Sequence, residues 1–368
     1  MERMGVGIVG AGAISSRYIS TMQEKFADVL DVRAVAARHL ESAQAKASEH
    51  GLDACTTDEL LARDDIQLVV ILTPVGTHYA LAKAALEAGK HVYCEKTLTD
   101  DPAKARELKA LAEARGLLLG CAPDTFLGSA LQTARQALDQ GVIGTLTGFS
   151  ATINRDNAAL LSLFGFLRQP GAGAIADYLV YYLTALVSLL GPVAEVATFV
   201  HTPEEPYASI GMGDVPAGDP IACPNESRVS AIIRMGSGVF GTVMQDNDSV
   251  LVDQADFQIL GTDGMLKLTD PNQFGGTVKL LRKSYDFANL PGWEDVEPVL
   301  PQYATESRGL GVADLACAIA DGRTPRASAA LACHVLDVCD ALLRSAKTHE
   351  FVKVESTCER PEPMAELG

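Results

Sequence analysis

Gly10-Ala11-Gly12-Ala13-Ile14-Ser15, which follows the apolar run Val6-Gly7-Ile8-Val9, decides the fold of this chain. A short apolar run that breaks into Gly-x-Gly is typical of a strand, a tight turn and a helix. Gly10 permits the turn, and Gly12 lets the backbone approach a pyrophosphate at the positive N-terminal end of the helix. Ser15 stands where a third glycine is usual, and a small serine also allows close helix–strand packing. The stretch therefore predicts a dinucleotide-binding unit.

Composition limits the class of protein. A length of 368 residues predicts two domains, and the net charge of −17 argues against nucleic acid and anionic membranes as partners, because their phosphates would be repelled. Eight cysteines include no Cys-x-x-Cys pair, which indicates a reduced, cytoplasmic chain without a disulfide framework. The longest apolar stretch, around residues 179–190, is too short for a membrane span. The seven histidines form no ligand-spaced cluster, so no metal site is predicted.

Strands and helices alternate through the first third of the chain. Strands are predicted at residues 5–9, 32–36, 68–72, 91–94 and 117–121, with helices between them. Residues 68–72 are apolar throughout, as expected for a buried parallel strand. This rhythm predicts an α/β Rossmann domain with a doubly wound parallel sheet over residues 1–122.

Beyond residue 122 long strands dominate, and they predict an α+β domain with an open, mainly antiparallel sheet over residues 123–368. The predicted strands are 145–153, 194–200, 228–235, 238–246, 255–261 and 264–269. Hairpin turns are expected at residues 236–238 and at Asp263-Gly264, with glycine supplying a positive φ. Two helices, at about 308–320 and 327–346, precede ten residues that we expect to form a mobile tail.

The end of the second strand bears on cofactor choice. An acidic residue there would bind the ribose 2′-hydroxyl of NAD, but this chain has Ala37 followed by Arg38. A guanidinium suits a 2′-phosphate, which favours NADP, with NAD possible. The alternative for Arg38 is a surface arginine at the start of a helix.

Lys96, in Cys94-Glu95-Lys96-Thr97, directly follows the predicted strand 91–94. Ligands bind at the carboxyl edge of a parallel sheet, so a lysine there is placed for catalysis, although a solvated Glu–Lys pair is the alternative. On the predicted helix 173–190, Asp177 and Tyr181 are four residues apart and share one helical face. The alternative for Tyr181 is simple packing with a hydrogen-bonded hydroxyl.

The chain resembles the Gfo/Idh/MocA oxidoreductases, the family of glucose–fructose oxidoreductase and inositol dehydrogenase. The resemblance covers nearly the whole chain and rests on motifs in a fixed order: the Gly10/Gly12 turn, Thr73-Pro74-x-x-x-His78, Gly89-Lys90-His91-Val92, Glu95-Lys96 and Gly171-x-Gly173-x-x-x-Asp177-x-x-x-Tyr181. It implies a Rossmann domain, an open antiparallel sheet, and a homodimer or homotetramer that packs through this sheet. Departures from the family pattern are Thr97 for proline, Ala172 and Leu179 for glycines, Val75 for asparagine and Tyr181 for histidine.

These observations predict an NADP-dependent oxidoreductase that transfers a hydride between nicotinamide and a secondary alcohol of a sugar, polyol, inositol or glycoside. Tyr181 would remove the hydroxyl proton, and the Lys96 ammonium would favour the phenolate and stabilise the developing alkoxide. Asp177 would orient the substrate or the lysine. The residues expected to contact the cofactor are Gly10, Gly12, Ala13, Ile14, Arg38, Thr73, Pro74, His78 and Glu95. For His78 a capping or packing role is the alternative.

Two other functions fit the same residues. A fold with tightly held NAD(P) can run redox-neutral chemistry as a glycosidase or epimerase, and some related chains only sense dinucleotide. Retention of both Lys96 and Tyr181 favours an enzyme. The loop 154–168 is apolar for a site that binds a bare sugar, which favours a substrate with a hydrophobic portion, such as an aryl glycoside.

Overall fold

The computed structural model describes residues 2–211, 216–250 and 256–367. The chain forms two compact units. Unit 1 contains Met1–Gly128, Gln302–Leu336 and Pro361–Gly368, and unit 2 contains Ser129–Pro301 and Asp337–Arg360. Two segments from the C-terminal part of the chain therefore belong to the same unit as the N-terminal strands.

Unit 1 contains a six-stranded parallel sheet with the strand order β3-β2-β1-β4-β5-β6. The strands are β1 (Met4–Val9), β2 (Leu30–Ala36), β3 (Asp53–Cys55), β4 (Leu68–Ile71), β5 (His91–Cys94) and β6 (Leu119–Cys121). The helices among them are α1 (Ala13–Lys25), α2 (Leu40–His50), α3 (Thr57–Leu61), α4 (His78–Glu87) and α5 (Pro102–Ala114). The predicted doubly wound parallel sheet is confirmed.

Local chemistry explains where these helices begin. The Asp101 side chain caps α5 by accepting a hydrogen bond from the Ala103 N–H at 2.7 Å, and Pro102 occupies the first helical position, where a missing N–H costs nothing. Strand β4 is buried along its whole length, as its apolar run predicts. The short elements β3 and α3 escape the sequence prediction, although α3 opens with a capping box between Thr56 and Glu59.

Unit 2 contains a nine-stranded sheet with the order β14-β13-β12-β11-β7-β10-β9-β8-β15. The strands are β7 (Leu146–Asn154), β8 (Val193–His201), β9 (Arg228–Met235), β10 (Phe240–Asp246), β11 (Asp256–Gly261), β12 (Gly264–Leu268), β13 (Lys279–Arg282), β14 (Glu294–Asp295) and β15 (Val352–Lys353). Only β7 and β10 pair in parallel among these described strands, which confirms a mainly antiparallel sheet. Residue 255, the first of the strand predicted at 255–261, lies outside the described residues.

Five further helices complete the described chain: α6 (Ser129–Asp139), α7 (Asn157–Leu163), α8 (Val180–Leu190), α9 (Leu310–Asp321) and α10 (Ala329–Thr348). A single π-helical turn, Ile175–Leu179, leads directly into α8. Helix α8 is buried on all sides from Val180 to Leu189, so it has no solvent-exposed polar face over this stretch. Among the described residues, no helix is both long and apolar enough to cross a membrane.

The sheet of unit 2 has one buried and one open face. Along β9 buried and exposed side chains alternate strictly, which is the pattern of a sheet covered on one side. The open face carries four exposed apolar side chains, Phe199, Ile232, Phe240 and Met244, whose exposures of 75%, 48%, 61% and 40% are high for such residues.

Two local expectations are wrong. Gly264 does not have a positive φ; its Cβ would lie 2.6 Å from the Leu281 carbonyl oxygen of β13, so close strand approach explains this glycine. Gly238, in the β9–β10 turn, does have the expected positive φ, 90°. The described part of the C-terminal tail is also tied down, because Arg326 Nε donates to the Pro363 carbonyl at 2.9 Å and Met364 is buried.

Candidate functional site

The predicted cofactor residues of unit 1 lie along one edge of its sheet. They follow the carboxyl ends of four neighbouring parallel strands, β2, β1, β4 and β5, where ligands of such sheets bind. In strand order they are Arg38 after β2, Gly10, Gly12, Ala13 and Ile14 after β1, Thr73, Pro74 and His78 after β4, and Glu95 after β5. The candidate catalytic Lys96 stands at the same edge.

The turn between β1 and α1 fits a dinucleotide pyrophosphate. Gly10 has a φ of 121°, and its Cβ would lie 2.6 Å from the Leu72 carbonyl oxygen. A Cβ on Gly12 would meet no atom within 4 Å, and no side chain caps the N–H groups of α1 there. Ser15 is fully buried and its Oγ donates to the Gly12 carbonyl at 2.6 Å, in agreement with a packing role. The helix start thus offers uncapped N–H donors beside open space, which suits a diphosphate.

Arg38 is exposed at the end of β2, and no described residue supplies its guanidinium with a hydrogen bond or an ion pair. The neighbouring Ala37 offers no carboxylate that could bind a ribose 2′-hydroxyl. This corner of unit 1 therefore presents a free cation where NAD-selective sheets present an acid.

Glu95 fixes the backbone of Lys96. One carboxylate oxygen accepts from the Tyr18 hydroxyl at 2.9 Å, and the other accepts from the Lys96 N–H at 2.8 Å. Tyr18 is fully buried on α1, and burial, followed by Glu95, raises its pKa well above the usual value, so its hydroxyl remains a donor at neutral pH. The Lys96–Thr97 peptide bond is cis. Sequence reasoning missed Tyr18, which lies 77 residues from its partner.

His78 has its ring nitrogens engaged inside unit 1. It is fully buried, with Nδ1 2.8 Å from the Thr97 carbonyl oxygen and Nε2 2.7 Å from the Thr73 carbonyl oxygen. The ring links the segments that follow β4 and β5, which supports the packing alternative for this residue. Contact between His78 and the cofactor stays a prediction.

Asp124 is a second buried carboxylate of unit 1. Its Oδ2 accepts from the Gly309 and Gly311 N–H groups, at 3.0 Å each, at the start of α9. Burial raises the pKa of Asp124 to about 6, although both backbone hydrogen bonds oppose the shift. No local sequence pattern indicates this contact, because the partners of Asp124 lie 185 and 187 residues away.

Unit 2 holds the other two candidate catalytic residues on one helical segment. Asp177 lies in the π-helical turn, and Tyr181 lies in the first turn of α8. Single π-helical turns within helices occur frequently at functional sites. Thr184 and Ser188, further along the same predicted face, donate to carbonyls of their own helix, at 2.8 Å each, and are structural.

Glu226 holds the start of this segment. Its carboxylate accepts from the Ile175 N–H, and its carbonyl accepts from the Ala174 N–H, both at 3.0 Å. A Cβ on Gly173 would lie 2.2 Å from that carboxylate, which explains the second glycine of the Gly171-x-Gly173 motif. Burial raises the pKa of Glu226.

A small cavity of unit 2 combines polar and apolar walls. Its polar wall includes the carboxylates of Asp177 and Glu226 and the amides of Asn157 and Asn247. Leucines of α7 and the following loop form much of its apolar wall. Carboxylates and amides are acceptors and donors that suit hydroxyl groups. Among the described residues, no group of three or more His, Cys, Asp or Glu side chains is arranged to hold a metal ion.

Tyr178 connects Arg155 with Asp270. The Arg155 guanidinium lies 3.8 Å from the centre of the Tyr178 ring, and the Tyr178 hydroxyl donates to Asp270 Oδ2 at 2.5 Å. Burial, then Asp270, raises the pKa of Tyr178. The rings of Tyr178 and Tyr181 have centroids 5.8 Å apart. Sequence reasoning missed this arrangement, since Asp270 lies 92 residues from Tyr178.

The loop 154–168 contains α7 and divides into two parts. Leu160, Leu161 and Leu167 are buried in a small core with Ile221, so folding alone explains them. Leu163, Phe164 and Phe166 are exposed, at 42%, 46% and 50%. The prediction of a substrate with a hydrophobic portion now rests on these exposed side chains.

Two protein-family models match this chain, one in its N-terminal part and one in the part that follows. Residues 4–122 match the family model described as an oxidoreductase family with an NAD-binding Rossmann fold, and residues 131–267 match the GFO/IDH/MocA C-terminal domain. A trans-1,2-dihydrobenzene-1,2-diol dehydrogenase of Bos taurus is 30% identical over 72% of this chain and 74% of its own. Levoglucosan dehydrogenase of Pseudarthrobacter phenanthrenivorans is 28% identical over 72% and 73%.

Other relatives match over shorter stretches. The chain covers 36%, 23% and 37% of the length of oxidoreductases from Schizosaccharomyces pombe, Bacillus subtilis and Escherichia coli. Among solved structures, levoglucosan dehydrogenase in complex with NADH has a TM-score of 0.83 at 21% identity, over 96% of this chain and 100% of that one. An NAD-binding oxidoreductase from Klebsiella pneumoniae has the same score and identity, over 96% and 99%.

Proposed function

The chain belongs to the GFO/IDH/MocA family of oxidoreductases, and we propose that it is an NADP-dependent dehydrogenase of a secondary alcohol in a sugar, polyol, inositol or glycoside. The observation that carries the proposal is the open, uncapped helix start at Gly12, with the unpaired Arg38 just after the neighbouring strand β2. Relatives named as dehydrogenases of levoglucosan and of trans-1,2-dihydrobenzene-1,2-diol support an alcohol as the substrate.

The preference for NADP rests on Arg38. A guanidinium pairs well with the 2′-phosphate that distinguishes NADP, and Ala37 removes the acid that would favour NAD. NADH in the levoglucosan dehydrogenase structure keeps NAD as the second possibility. Replacing Arg38 with Ala should lower kcat/KM for NADP about tenfold or more and leave the value for NAD within about twofold. Equal losses with both cofactors would contradict this role.

In the proposed reaction, the secondary alcohol loses a hydride from its carbon and a proton from its oxygen. The bound nicotinamide supplies the hydride acceptor. The Tyr181 phenolate takes the proton from the reacting hydroxyl, and the Lys96 ammonium stabilises the negative charge that develops on that oxygen. Asp177, one turn before Tyr181, orients the substrate hydroxyls. Support comes from the Glu95 contact that fixes the backbone of Lys96 and from the Glu226 contacts that fix the start of the Asp177 segment.

A substrate screen tests the proposal. The purified protein is incubated with NADP or NAD and a panel of sugars, inositols, polyols and glycosides, and the fluorescence of the reduced nicotinamide is followed. We expect turnover of at least one secondary alcohol, with NADP preferred. Product formation without net reduction of the cofactor would indicate redox-neutral chemistry, and tight cofactor binding without any turnover would indicate a dinucleotide sensor. Either result would contradict the proposal.

Self-association through the open face of the unit 2 sheet belongs to the same proposal. Phe199, Ile232, Phe240 and Met244 form an exposed apolar patch across β8, β9 and β10. Patches of this kind mark interaction sites, and a homodimer or homotetramer would bury it. The eight cysteines, all of them described and none of them in a disulfide, support a reducing compartment, for which we propose the cytoplasm.

A further inference from the structure

Arg38 and Arg155 are two arginines whose guanidinium groups are unpaired within the described chain. The guanidinium of neither residue makes a hydrogen bond or an ion pair to another described residue, although the chain contains 47 acidic residues against 30 basic ones. An unpaired cation is informative in such an acidic protein, because carboxylates compete for every accessible positive charge. Arg38 is explained by the cofactor proposal, whereas Arg155 belongs to unit 2 and is not.

The Arg155 guanidinium is held in a fixed orientation. Its Cζ lies over the Tyr178 ring, 3.8 Å from the ring centroid, and the Tyr178 hydroxyl donates a hydrogen bond to Asp270 at 2.5 Å. Asp270 is fixed in turn, because its second oxygen accepts from the Asn272 N–H at 2.9 Å. The Arg155 Nε is buried and has no acceptor among the described residues, while the residue as a whole is partly exposed. A cation that is already ordered loses little entropy when it binds an anion.

The position of this cation matters because Tyr178 lies between the two proposed site residues of unit 2. Asp177 precedes Tyr178 directly, and the Tyr181 ring centroid is 5.8 Å from that of Tyr178. An anionic group bound by Arg155 would therefore lie beside the helical segment that carries Asp177 and Tyr181.

We infer that Arg155 binds a carboxylate of the substrate, and that the substrate class is a sugar acid such as a hexuronate. The inference rests on the proposed function and narrows it. A planar guanidinium matches a carboxylate in shape and in its single charge, and can form two parallel hydrogen bonds with it. A phosphate dianion usually needs several cations or N–H donors, whereas one planar guanidinium can pair with a carboxylate through two hydrogen bonds.

Binding measurements test the inference without any need for turnover. Calorimetric titration of the NADP-loaded protein compares D-glucuronate with D-glucose and D-galacturonate with D-galactose, which differ only at C6. We expect at least one hexuronate to bind about tenfold or more tightly than its neutral partner, as one added charged hydrogen-bonded pair predicts. Replacing Arg155 with Gln should abolish this preference, and replacing it with Lys should retain part of it.

An Arg228→Gln variant is the control for the Arg155 substitutions. Replacing Arg228 with Gln removes a partly exposed arginine of unit 2 that already pairs with Asp248, and should leave the preference unchanged. A purely structural Arg155 would make the Gln variant lose affinity for acidic and neutral sugars alike. That result, absence of hexuronate binding, or a preference for hexose 6-phosphates would overturn the inference. Hexuronate binding without cofactor reduction would instead reject the proposed dehydrogenase and leave the inference standing.

Discussion

At the scale of single residues, alanine substitutions at Gly10 and Gly12 should affect different quantities, namely protein stability at Gly10 and cofactor affinity at Gly12. We predict that Gly12→Ala weakens binding of NADPH about tenfold or more, because its methyl group occupies the open space where the pyrophosphate would approach the helix start. The free energy of unfolding should change by less than about 1 kcal/mol, since Gly12 has an extended backbone that alanine adopts. Calorimetric titration with NADPH and urea unfolding measure the two quantities.

Gly10→Ala is the matched comparison. Its φ of 121° and the 2.6 Å approach to the Leu72 carbonyl oxygen leave no room for a methyl group. This variant should lose stability, by about 2 kcal/mol or more. Unchanged NADPH affinity in Gly12→Ala would contradict the assignment of this turn to the cofactor.

Asp124 predicts a specific pH dependence of stability. Its pKa is raised by burial to about 6, above the unfolded value, so the folded state binds more protons than the unfolded state between about pH 4 and 6. Its contribution to stability therefore falls as pH rises through this window. The Asp124→Asn variant has no ionisable group at this position, so its free energy of unfolding lacks this pH-dependent decrease. The free energy of unfolding of the variant, relative to that of the wild type, should therefore rise by up to about 3 kcal/mol from pH 4 to 7.

Urea unfolding at several pH values, followed by far-ultraviolet circular dichroism, measures the Asp124 effect. Parallel stability curves for wild type and Asp124→Asn would show that this carboxylate titrates normally in the folded protein. Such curves would contradict the buried environment described for it at the start of α9.

The residues that sequence could identify are those whose neighbours in the chain define their role. Gly12, Arg38 and Lys96 each follow a strand, and strand ends can be recognised locally. Tyr18 and Glu226 could not be identified, because their partners Glu95 and Ile175 are 77 and 51 residues away. Nothing in a local pattern specifies which distant backbone N–H or hydroxyl a carboxylate will meet.

At the scale of secondary-structure elements, the helical segment from residue 175 to 190 depends on Gly173. We predict that Gly173→Ala lowers kcat/KM about tenfold or more, because its methyl group would lie 2.2 Å from the Glu226 carboxylate and would displace the contact that holds the Asp177 segment. The affinity for NADPH should stay within about twofold, since the cofactor residues lie in unit 1.

Gly165→Ala is the matched control for this element. Gly165 lies in the preceding loop, a Cβ there would meet no atom within 4 Å, and its φ lies outside the left-handed region. Its kcat/KM should stay within about twofold of the wild type. If both alanine variants behave alike, the contact between Gly173 and Glu226 does not position the catalytic segment.

Periodicity predicted the long elements of both sheets but not the irregular ones. The strictly alternating strand β9 has the predicted bounds, 228–235, because one buried face imposes a period of two. Helix α7 lies in a stretch that the sequence predicts as a loop, since its seven residues are too few for a clear helical period. The π-helical turn lies within the predicted helix 173–190, and the spacing of apolar residues does not distinguish it from an α-helix.

At the scale of the whole molecule, the open sheet face of unit 2 predicts self-association. Ile232 lies on β9, between β8 and β10, and faces the patch formed with Phe199, Phe240 and Met244. Ile232→Glu should weaken association about a hundredfold or more, because an unpaired charge would be buried at the interface. Analytical ultracentrifugation should show an oligomer for the wild type and a monomer for the variant at micromolar concentration.

Leu290→Glu serves as the control for self-association, since Leu290 is 67% exposed but lies outside the open face of β8–β10. It should keep the oligomer. A monomeric wild type, or equal effects of both variants, would contradict an interface on this face.

The assignment of segments to units was beyond sequence reasoning. The predicted domains, residues 1–122 and 123–368, follow chain order, whereas unit 1 also includes Gln302–Leu336 and Pro361–Gly368. An amphipathic pattern shows that a helix packs against something, but it does not identify the sheet that it covers. The return of the chain to its first unit therefore needs three-dimensional information.

The Lys96→Met variant is the decisive test of the proposal that Lys96 assists hydride transfer from a secondary alcohol. The measurement is kcat for reduction of NADP with the best alcohol of the substrate panel, together with the NADP dissociation constant, for wild type and variant. We predict a kcat at least about a hundredfold lower and a dissociation constant within about threefold, because the lost ammonium stabilises charge only during reaction. An unchanged kcat would contradict the account.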